Sequence, residues 1–575
     1  MTASRKPAAT EKLSAEISGS YAVLESLVRN GCDTIFGYPG GAIMPIYDAL
    51  YDYRKKIRHV LVRHEQGATH AAEGYARVTG RAGVCFATSG PGATNLVTGI
   101  ADAMLDSVPM VCITGQVAAH LLGTDAFQET DIIGVTMPIT KWNYQITNAE
   151  EIPAIIDKAF QIAEEGRPGP VLIDITKNAQ IDMCEYDHTP KPLKSYVWSK
   201  PQPKTGDLER AANLINEAKQ PMMLIGHGIL ISHAEEEVRM FAEHTGIPVA
   251  STLHGLSAFP TDHPLYTGML GMHGNYGPNL LTNEADVIIA AGMRFDDRVT
   301  GNVSKYAPDA KIIHIDLDAA EIGKNVGTRV GIIADAKEAL QGLIPLLLKS
   351  EHPEWIARFQ ACHHEEKEKV LDRDIFPKEG MLKMGEVVRV LSEKTHGEAV
   401  VVSDVGQHQM MAARYYRFKK SNSWMSSGGL GTMGFAVPAA MGAQIGAPDR
   451  PVVAIVGDGG IQMTIQELGT IAQEQLPVKI VLLNNNYLGM VRQWQELFFD
   501  RRYSFVHLEN PDFQTISKGF GVPAILVEKR EQLSEAMDRM LAMDGPCLLE
   551  VRVEQEQNVF PMVPTGASVS EVRLD

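Results

Sequence analysis

Residues 451–490 read PVVAIVGDGGIQMTIQELGTIAQEQLPVKIVLLNNNYLGM, and this stretch decides the fold. Two apolar runs, 452–456 and 478–483, flank a segment whose apolar residues recur with helical spacing. Strand-like runs on both sides of a helix predict a βαβ unit of a parallel sheet. Asp458 and Asn485 each follow the carboxyl end of one strand, so we expect both side chains to reach one crevice of the sheet.

The side chains at this crevice predict a site for Mg²⁺ and a phosphate group. A carboxylate at Asp458 and a carboxamide at Asn485 are hard oxygen ligands of the kind that Mg²⁺ prefers. Glycines at 457, 459 and 460 let the backbone approach a phosphate closely, and the following helix start favours negative charge. Gly-Asp-Gly alone fits an ordinary strand-to-helix turn with a capping aspartate equally well. The asparagine run after the next strand disfavours that second interpretation.

A GDG motif followed about 27 residues later by an asparagine pair resembles the fingerprint of enzymes that use thiamine diphosphate. In that family Mg²⁺ bridges the diphosphate of the cofactor to the protein. The resemblance implies that Asp458 and Asn485 are metal ligands through their side chains. It also implies that the backbone carbonyl of Tyr487 supplies a third ligand.

Composition narrows the classes of protein and partner. A chain of 575 residues is too long for one hydrophobic core, and three domains are the natural expectation. The net charge of −17 argues against nucleic acid and anionic membranes as partners. No apolar run approaches the roughly 20 residues that cross a bilayer. Six scattered cysteines without a CxxC motif indicate reduced thiols, and the first dozen residues lack a secretion signal, so we expect a cytoplasmic protein.

The order of strand, turn and helix repeats along the chain and predicts an α/β protein with three doubly wound parallel-sheet domains. A Pro- and Lys-rich linker is predicted at 186–205. The resemblance implies a pyrimidine-binding, an FAD-binding and a diphosphate- and Mg²⁺-binding domain, followed by a tail. We place these four segments at 14–185, 206–349, 381–560 and 561–575.

Two further stretches have helical patterns. One runs from about Ser14 to Asn30. The other covers 350–376 and contains the charged run HHEEKEK at 363–369. Mixed charges at this density are typical of a solvated helix face, which we favour over a metal site.

In the first predicted domain, Glu65 lies between a strand at 59–62 and a helix at 68–78. The segment is not an HExxH zinc motif, because Ala68 stands where the second histidine is required. A glutamate at a strand end is more often a helix cap or a surface charge than a catalytic group. The resemblance changes that reading, because thiamine enzymes place one glutamate against N1′ of the aminopyrimidine, and Glu65 matches it.

The middle predicted domain has acidic residues and glycines after its strands, which is the pattern of a nucleotide site. No GxGxxG motif is present, so the spacing alone supports a dinucleotide site only weakly. The alternative is a domain retained for packing.

Motifs across nearly the whole chain, among them FGYPGGA, RHEQGA, TSGPGATN, GTDAFQE, LGMHG, RFDDRVTG, VGQHQM, GGLGTMGF, LGMVRQWQ and NPDF, resemble the catalytic subunit of acetohydroxyacid synthase (acetolactate synthase, biosynthetic type). That family condenses two 2-keto acids with loss of CO₂, using thiamine diphosphate, Mg²⁺ and an FAD without redox turnover. The resemblance places Arg298 at the second substrate and the flavin. Trp494 matches the tryptophan that favours 2-ketobutyrate over pyruvate, and Met433 matches an apolar wedge that bends the cofactor.

The resemblance assigns further residues by position. The catalytic set is Glu65, Gln128, Arg298 and Trp494. Cofactor contacts are assigned to Gly40, Gly90, Asn95, Gly226, Gly228, Met272, His273, Gly274, Arg294, Asp297, Asp316, Asp335, Gln407, His408, Gly431, Met433, Gly457, Gly459, Gly460, Leu488, Gly489 and Met490. Gly460 departs from the family pattern, in which serine is frequent.

The resemblance also implies partners. Pyrimidine and diphosphate domains that meet usually belong to different subunits, so at least a homodimer is expected, with a tetramer as the larger alternative. A small regulatory subunit is expected from the family. The rival readings are a pyruvate oxidase, a flavin-free catabolic acetolactate synthase and a non-catalytic paralogue. Intact Glu65, Asp458 and Asn485 argue against the last.

Overall fold

The computed structural model describes residues 14–187 and 198–575, so half of the predicted linker at 186–205 lies outside the described residues. Three six-stranded sheets, each with all strands parallel, confirm the predicted fold class. The described residues divide into two compact units, one comprising those up to Ala72 and those of Arg81–Trp198, and the other comprising Glu73–Gly80 and Ser199–Asp575.

The first sheet has the strand order β3-β2-β4-β5-β7-β6, and a separate antiparallel pair joins β1 to β8. The six strands of the sheet are β2 (Thr34–Gly37), β3 (Arg58–Leu61), β4 (Gly83–Ala87), β5 (Met110–Gln116), β6 (Trp142–Ile146) and β7 (Pro170–Thr176), and the pair consists of β1 (Ser14–Ser18) and β8 (Met183–Asp187). Its helices are α1 (Gly19–Arg29), α2 (Met44–Tyr53), α3 (Glu65–Thr79), α4 (Pro91–Asn95), α5 (Val97–Asp106), α6 (Ile132–Thr136), α7 (Ile152–Glu164) and α8 (Lys177–Ile181).

The middle sheet has the order β11-β10-β9-β12-β13-β14. Its strands are β9 (Pro221–Ile225), β10 (Val249–Ser251), β11 (Tyr266–Met269), β12 (Val287–Ala291), β13 (Lys311–Asp316) and β14 (Val330–Ile333). The helices here are α9 (Thr205–Glu217), α10 (His227–Ile231), α11 (Glu235–Thr245), α12 (Tyr276–Thr282), α13 (Asp297–Thr300) and α14 (Ala336–Leu343), followed by the connecting helices α15 (Pro353–Glu366) and α16 (Asp372–Ile375).

The third sheet has the order β16-β15-β17-β18-β20-β19. Its strands are β15 (Val400–Ser403), β16 (Trp424–Ser426), β17 (Val452–Gly457), β18 (Lys479–Asn484), β19 (Ala524–Val527) and β20 (Cys547–Arg552). Its helices are α17 (Met384–Lys394), α18 (Gln407–Tyr415), α19 (Ala436–Gly446), α20 (Asp458–Met463), α21 (Leu468–Gln473), α22 (Gly489–Phe498), α23 (Phe513–Gly519) and α24 (Arg530–Leu541).

Local predictions differ from the structure at three places. Residues 14–18 form a strand and not the start of a helix, because they pair with β8 far along the chain. The helix predicted at 68–78 begins earlier, at Glu65, so this glutamate lies in a first helical turn. The charged run at 363–369 is helical, but its face is not wholly solvated, because Glu366 is buried.

The helices between the second and third sheets are nearly continuous. A π-helical turn at Lys367–Leu371 joins α15 to α16.

The helices of the described residues all fall short of the length and apolar character that crossing a bilayer requires. All six cysteines are buried free thiols, in agreement with the expected reduced state.

Each sheet is buried on both faces, which explains the continuous apolar runs of its inner strands. Ile289 on β12 is fully buried among the side chains of the middle core. Ile333 on the edge strand β14 is 41% exposed. The two isoleucines therefore offer a matched test of where this domain derives its stability.

We expect Ile289→Ala to lower the free energy of unfolding by roughly 2–5 kcal/mol, because it leaves a cavity in the core. Ile333→Ala should cost less than about 1 kcal/mol, since its side chain already contacts water. Urea midpoints of the two full-length variants would check this order. Equal midpoints would contradict the assignment of the core.

Candidate functional site

The carboxyl edge of the third sheet brings the predicted metal ligands to neighbouring strand ends. β17 and β18 pair in parallel, with Gly457 opposite Leu483. Asp458 follows β17 as the first residue of α20, and Asn485 follows β18 directly. The crevice expected from the sequence is therefore formed by adjacent strands.

The Asp458 carboxylate is buried and held by several donors. Its Oδ2 accepts hydrogen bonds of 2.7 Å from the Asn486 backbone amide and from Asn510 Nδ2. Its Oδ1 accepts one of 3.1 Å from the Gly459 amide. Burial raises the pKa of Asp458 to about 6, although the hydrogen bonds from Asn510 and Asn486 oppose that rise. The orientation of this carboxylate is thus fixed before any ligand arrives.

Polar atoms without partners face the same loops. Among the described residues, Asn485 Nδ2, Gln407 Oε1 and His408 Nε2 are buried and accept or donate no hydrogen bond. A Cβ placed on Gly489 would collide with Gln407 Oε1 and lie 2.9 Å from Asn485 Nδ2. Burial lowers the pKa of His408 to about 4, so its imidazole is neutral. Buried polar groups are normally satisfied, so these atoms indicate a polar ligand. Asn485 Nδ2 can donate to a diphosphate oxygen, whereas Gln407 Oε1 can only accept a hydrogen bond.

The glycines of the GDGG turn exclude side chains for steric reasons. A Cβ on Gly457 would lie 2.8 Å from His408 Cε1, and one on Gly459 would lie 2.7 Å from Leu488 Cδ2. On Gly460, a Cβ would lie 2.8 Å from Asp404 Oδ2, so a serine at this position would require Asp404 to shift.

Asp404, at the end of β15, positions the loop that carries Met433. Its two carboxylate oxygens accept hydrogen bonds of 2.9 and 3.1 Å from the Gly434 amide. Met433 Cε lies 3.5 Å from the position of a Cβ on Gly459, so the thioether reaches the GDGG turn. A Cβ on Gly431 would meet no atom within 4 Å, so space does not require glycine at this position. Its φ of +75 lies in the left-handed region, and this backbone conformation favours glycine.

Helix α22 begins at Gly489 and carries Met490 and Trp494. Trp494 is half-buried, and its ring lies 4.9 Å from that of Phe498 between centroids. Gln493 on the same helix accepts a 3.0 Å hydrogen bond from Gln407 Nε2. The helix with the candidate specificity residue is therefore tied to the start of α18.

In the first domain, the loop after β4 surrounds Glu65. The Glu65 side chain is 9% exposed, and its Oε2 accepts a 2.9 Å hydrogen bond from Asn95 Nδ2. A Cβ on Gly90, which has φ +59, would lie 2.8 Å from the Gln128 carbonyl oxygen. A Cβ on Gly40 would meet the Thr88 side chain at 2.5 Å. Five assigned residues thus follow the carboxyl ends of β2, β3, β4 and β5 at one edge of this sheet, namely Gly40, Glu65, Gly90, Asn95 and Gln128.

In the middle domain, Arg298 projects from the short helix α13, whose start is capped by Asp296. The guanidinium is exposed and lies 3.7 Å from Met272 Sδ and 3.8 Å from Asp297 Oδ2. The Met272 amide donates a 2.8 Å hydrogen bond to the Arg298 carbonyl. An exposed cation with so weak an ion pair is available to an anionic ligand.

The other residues of the middle domain that were assigned to the cofactor fall into two groups: some are explained by packing or helix capping, and others, such as His273, are buried or half-buried polar residues. A Cβ on Gly228 would lie 2.6 Å from Gly292 Cα, so close packing of two strand-end loops accounts for this glycine and for Gly226. Asp335 caps α14 and pairs with Lys200 at 3.1 Å. His273 is buried with no hydrogen-bond partner for Nε2 among the described residues, and burial lowers its pKa to about 3. Gly274 shares this loop, and Arg294 and Asp316 are half-buried after β12 and at the end of β13.

Sequence reasoning missed several residues that shape these loops. Asn510 donates both to Asp458 and, at 3.0 Å, to Asn484 Oδ1. Gln557 accepts from Gln407 Nε2 through its backbone carbonyl at 2.7 Å. Neither lies at a strand end of the βαβ unit, and only the NPDF motif around Asn510 offered a signal.

Comparison with known proteins agrees with this geometry. The chain matches the N-terminal TPP binding domain of thiamine pyrophosphate enzymes over residues 17–135. It matches their central domain over 208–343 and their C-terminal TPP binding domain over 404–551. Each match contains one of the three parallel sheets in whole or in large part.

Curated relatives align over almost the whole chain. The acetolactate synthase large subunit of Corynebacterium glutamicum is 49% identical, over 97% of this chain and 90% of the relative. The chloroplastic acetolactate synthase 1 of Oryza sativa subsp. japonica is 47% identical over 97% and 88%, and the large subunit of acetolactate synthase isozyme 2 of Escherichia coli is 44% identical over 97% and 99%. With matches of this identity and length, the chain belongs to the acetolactate synthase large subunits of the thiamine pyrophosphate enzyme family.

Proposed function

We propose that this chain is the catalytic subunit of a biosynthetic acetolactate synthase, which decarboxylates pyruvate and joins the remaining two carbons to a second 2-keto acid. Pyruvate as the second substrate gives 2-acetolactate, and 2-ketobutyrate gives 2-aceto-2-hydroxybutyrate. Both products lead to branched-chain amino acids. The proposed cofactors are thiamine diphosphate, Mg²⁺ and FAD, and the proposed location is the cytoplasm.

The observation that carries this proposal is the arrangement of oxygen donors at the ends of β17 and β18. Asp458, Asn485 and the Tyr487 carbonyl would hold Mg²⁺, because a carboxylate, an amide and a carbonyl suit a hard cation. Asn485 Nδ2 is a buried donor without a partner among the described residues, so it can donate to a diphosphate oxygen. When bound, thiamine diphosphate supplies the carbon nucleophile and the electron sink for decarboxylation.

Glu65 is proposed to hold the proton that it shares with N1′ of the aminopyrimidine. Its near-complete burial keeps water from competing for that hydrogen bond. Asn95 Nδ2 donates to the carboxylate and fixes its orientation. Gln128, with φ +62, is proposed to lie beside the reacting groups.

Arg298 and Trp494 are proposed to select the second keto acid. The exposed Arg298 guanidinium can hold a carboxylate through two parallel hydrogen bonds. Trp494 offers a flat apolar surface that suits the extra methyl group of 2-ketobutyrate. Met433 and Met490 would provide the apolar wall on the cofactor side.

FAD is proposed for the middle domain. The unpartnered, buried Nε2 of His273 and the adjacent exposed Arg298 fit a polar, anionic group. This set supports a nucleotide at the carboxyl edge of the middle sheet, where such ligands bind in open α/β sheets.

We also propose a homodimer or a tetramer, in which two copies complete each cofactor site. Large apolar side chains are exposed near the assigned residues of both units, such as Phe127 and Met137 in one and Met463 and Val491 in the other. Exposed apolar patches of this kind mark interaction surfaces. The name of the relatives, large subunit, supports a small regulatory partner as a further proposal.

The overall proposal is tested by supplying the protein with thiamine diphosphate, Mg²⁺, FAD and pyruvate, with and without oxygen. We expect acetolactate at equal rates in both atmospheres, because no step consumes oxygen. Oxygen-dependent acetate or acetyl phosphate would instead identify a pyruvate oxidase, the alternative activity. Product identification by mass spectrometry distinguishes the two.

We expect Glu65→Gln to lower kcat/KM for pyruvate by roughly 10²–10⁴-fold, the usual contribution of a general acid or base. Glu16→Gln, at an exposed position of the same domain, is the control and should retain the wild-type value. A Glu65→Gln variant within threefold of wild type would remove Glu65 from the mechanism.

Asp458→Asn should raise the Mg²⁺ concentration for half-maximal activity by at least about 10–100-fold, the range seen even for residues that merely support a metal ligand. Asp449→Asn changes an exposed aspartate of the same domain and should leave this concentration unchanged. Mg²⁺ titrations at saturating thiamine diphosphate provide the measurement. An unchanged titration for Asp458→Asn would place the metal elsewhere.

A further inference from the structure

Glu366 differs in its burial from most other residues of the charged run at 363–369. Its neighbour Glu365 is exposed and pairs with Lys369 at 2.7 Å, one turn along the helix. The Glu366 side chain is only 1% exposed. A buried carboxylate must be paired and hydrogen-bonded to be tolerated, so its partners define its role.

On one side, Glu366 binds the end of the loop assigned to the flavin. Glu366 Oε1 accepts a 2.9 Å hydrogen bond from Asn275 Nδ2, and Oε2 accepts one of 2.8 Å from the Tyr276 amide. These two residues directly follow Met272, His273 and Gly274. Asn275 also accepts from the Met269 amide at 2.9 Å, so the loop is closed at its base.

On the other side, Glu366 binds the helix assigned to the diphosphate. Glu366 Oε1 accepts a 2.6 Å hydrogen bond from Nη2 of Arg414, whose side chain is fully buried. Arg414 lies in the last turn of α18, which begins with Gln407 and His408. Arg414 Nη1 also donates to the Phe560 carbonyl. One carboxylate thus joins both cofactor-facing elements.

A second buried contact holds α18 to the same connecting helices. The Tyr415 hydroxyl donates to Asp374 Oδ2 at 2.7 Å, and Gln557 Nε2 donates to Asp374 Oδ1 at 3.1 Å. The Gln557 carbonyl in turn accepts from Gln407 Nε2. The connection between the sheets therefore contacts the last turn of α18 directly, and reaches the start of α18 only through Gln557.

We propose that Glu366 is a positioning residue that couples the loop Met272–Gly274 to helix α18, so that a flavin nucleotide bound at the loop strengthens the binding of thiamine diphosphate. This inference rests on the proposed function for its two ligands. Burial of an ion pair is seldom needed for stability, since apolar pairs of similar volume often serve as well. A role in fixing the position of the loop Met272–Gly274 relative to helix α18 explains why the Glu366–Arg414 pair is buried.

The coupling must be reciprocal, because both ligands act on one equilibrium. Flavin that orders the loop holds Asn275 and Tyr276 against Glu366. Glu366 in turn holds Arg414, and with it the orientation of Gln407 at the start of α18. Thiamine diphosphate should strengthen flavin binding by the same factor.

The test uses the full-length protein stripped of cofactors. Thiamine diphosphate is titrated in excess Mg²⁺, with and without saturating FAD, and its Kd is read from protein fluorescence. For the wild type we expect FAD to lower this Kd about tenfold, within the usual range of coupling between sites. Titration of FAD by flavin fluorescence should give the same ratio with thiamine diphosphate present.

The decisive variant is Glu366→Gln. Its one oxygen can still accept from Asn275, but its amide nitrogen cannot accept from the Tyr276 amide, and the charge that holds Arg414 is lost. We expect its ratio of Kd values to fall below twofold. Glu365→Gln, one residue away and exposed, should keep the tenfold ratio. A Glu366→Gln variant with the wild-type ratio would overturn the inference.

Loss of Glu366 leaves Arg414 buried and unpaired, which destabilises the fold. The double variant Glu366→Gln with Arg414→Met removes both charges and cuts the link without that cost. A wild-type ratio in the double variant would equally overturn the inference. A wild type that binds both cofactors independently also overturns it, whereas a wild type that binds neither contradicts the proposed function itself.

Discussion

The hydrogen bonds to the Asp458 carboxylate are the constraint around which the third domain is arranged. A carboxylate buried at a strand end is costly, and here the Asn486 and Gly459 amides and Asn510 share that charge. Two of these donors lie on the turns that leave β17 and β18, so the parallel register of the strands is a condition for the site. A divalent cation at this carboxylate would complete the compensation of charge. Fold and candidate chemistry thus depend on the same few contacts.

Close approach is the second constraint, and it explains the small residues better than flexibility does. Around the GDGG turn, side chains at 457, 459 and 460 would meet His408, Leu488 and Asp404. The space is taken by the residues that shape the site and not by bulk solvent. In the middle domain the same logic applies to Gly228 and Gly292, where two backbones touch. A glycine motif therefore indicates a close contact, and its partner must be identified from structure.

Much of this could be predicted from the sequence, because parallel strands buried on both faces and turns rich in glycine leave strong local patterns. The three sheets and the neighbouring positions of Asp458 and Asn485 follow from those patterns. The strand at 14–18, the role of Asn510 and the burial of Glu366 do not. Each depends on a partner more than 20 residues away, such as Asp187, Asp458 or Arg414. A charged run of residues predicts a solvated face on average, and a single buried member within it carries no local signal.

Buried guanidinium groups determine how the chain leaves the third domain. Arg492 donates to the carbonyls of Glu556 and Gln557 at 3.1 and 3.3 Å, and Arg414 donates to that of Phe560. A planar group with five donors suits successive carbonyls that no strand partner satisfies. The chain then reaches the middle domain, where the Val563 amide donates a 2.8 Å hydrogen bond to the Met272 carbonyl. The loop at Met272 is thus held twice, by the tail and through Glu366. Because Arg414 contacts both Phe560 and Glu366, the two links share one guanidinium and fix the position of the loop together.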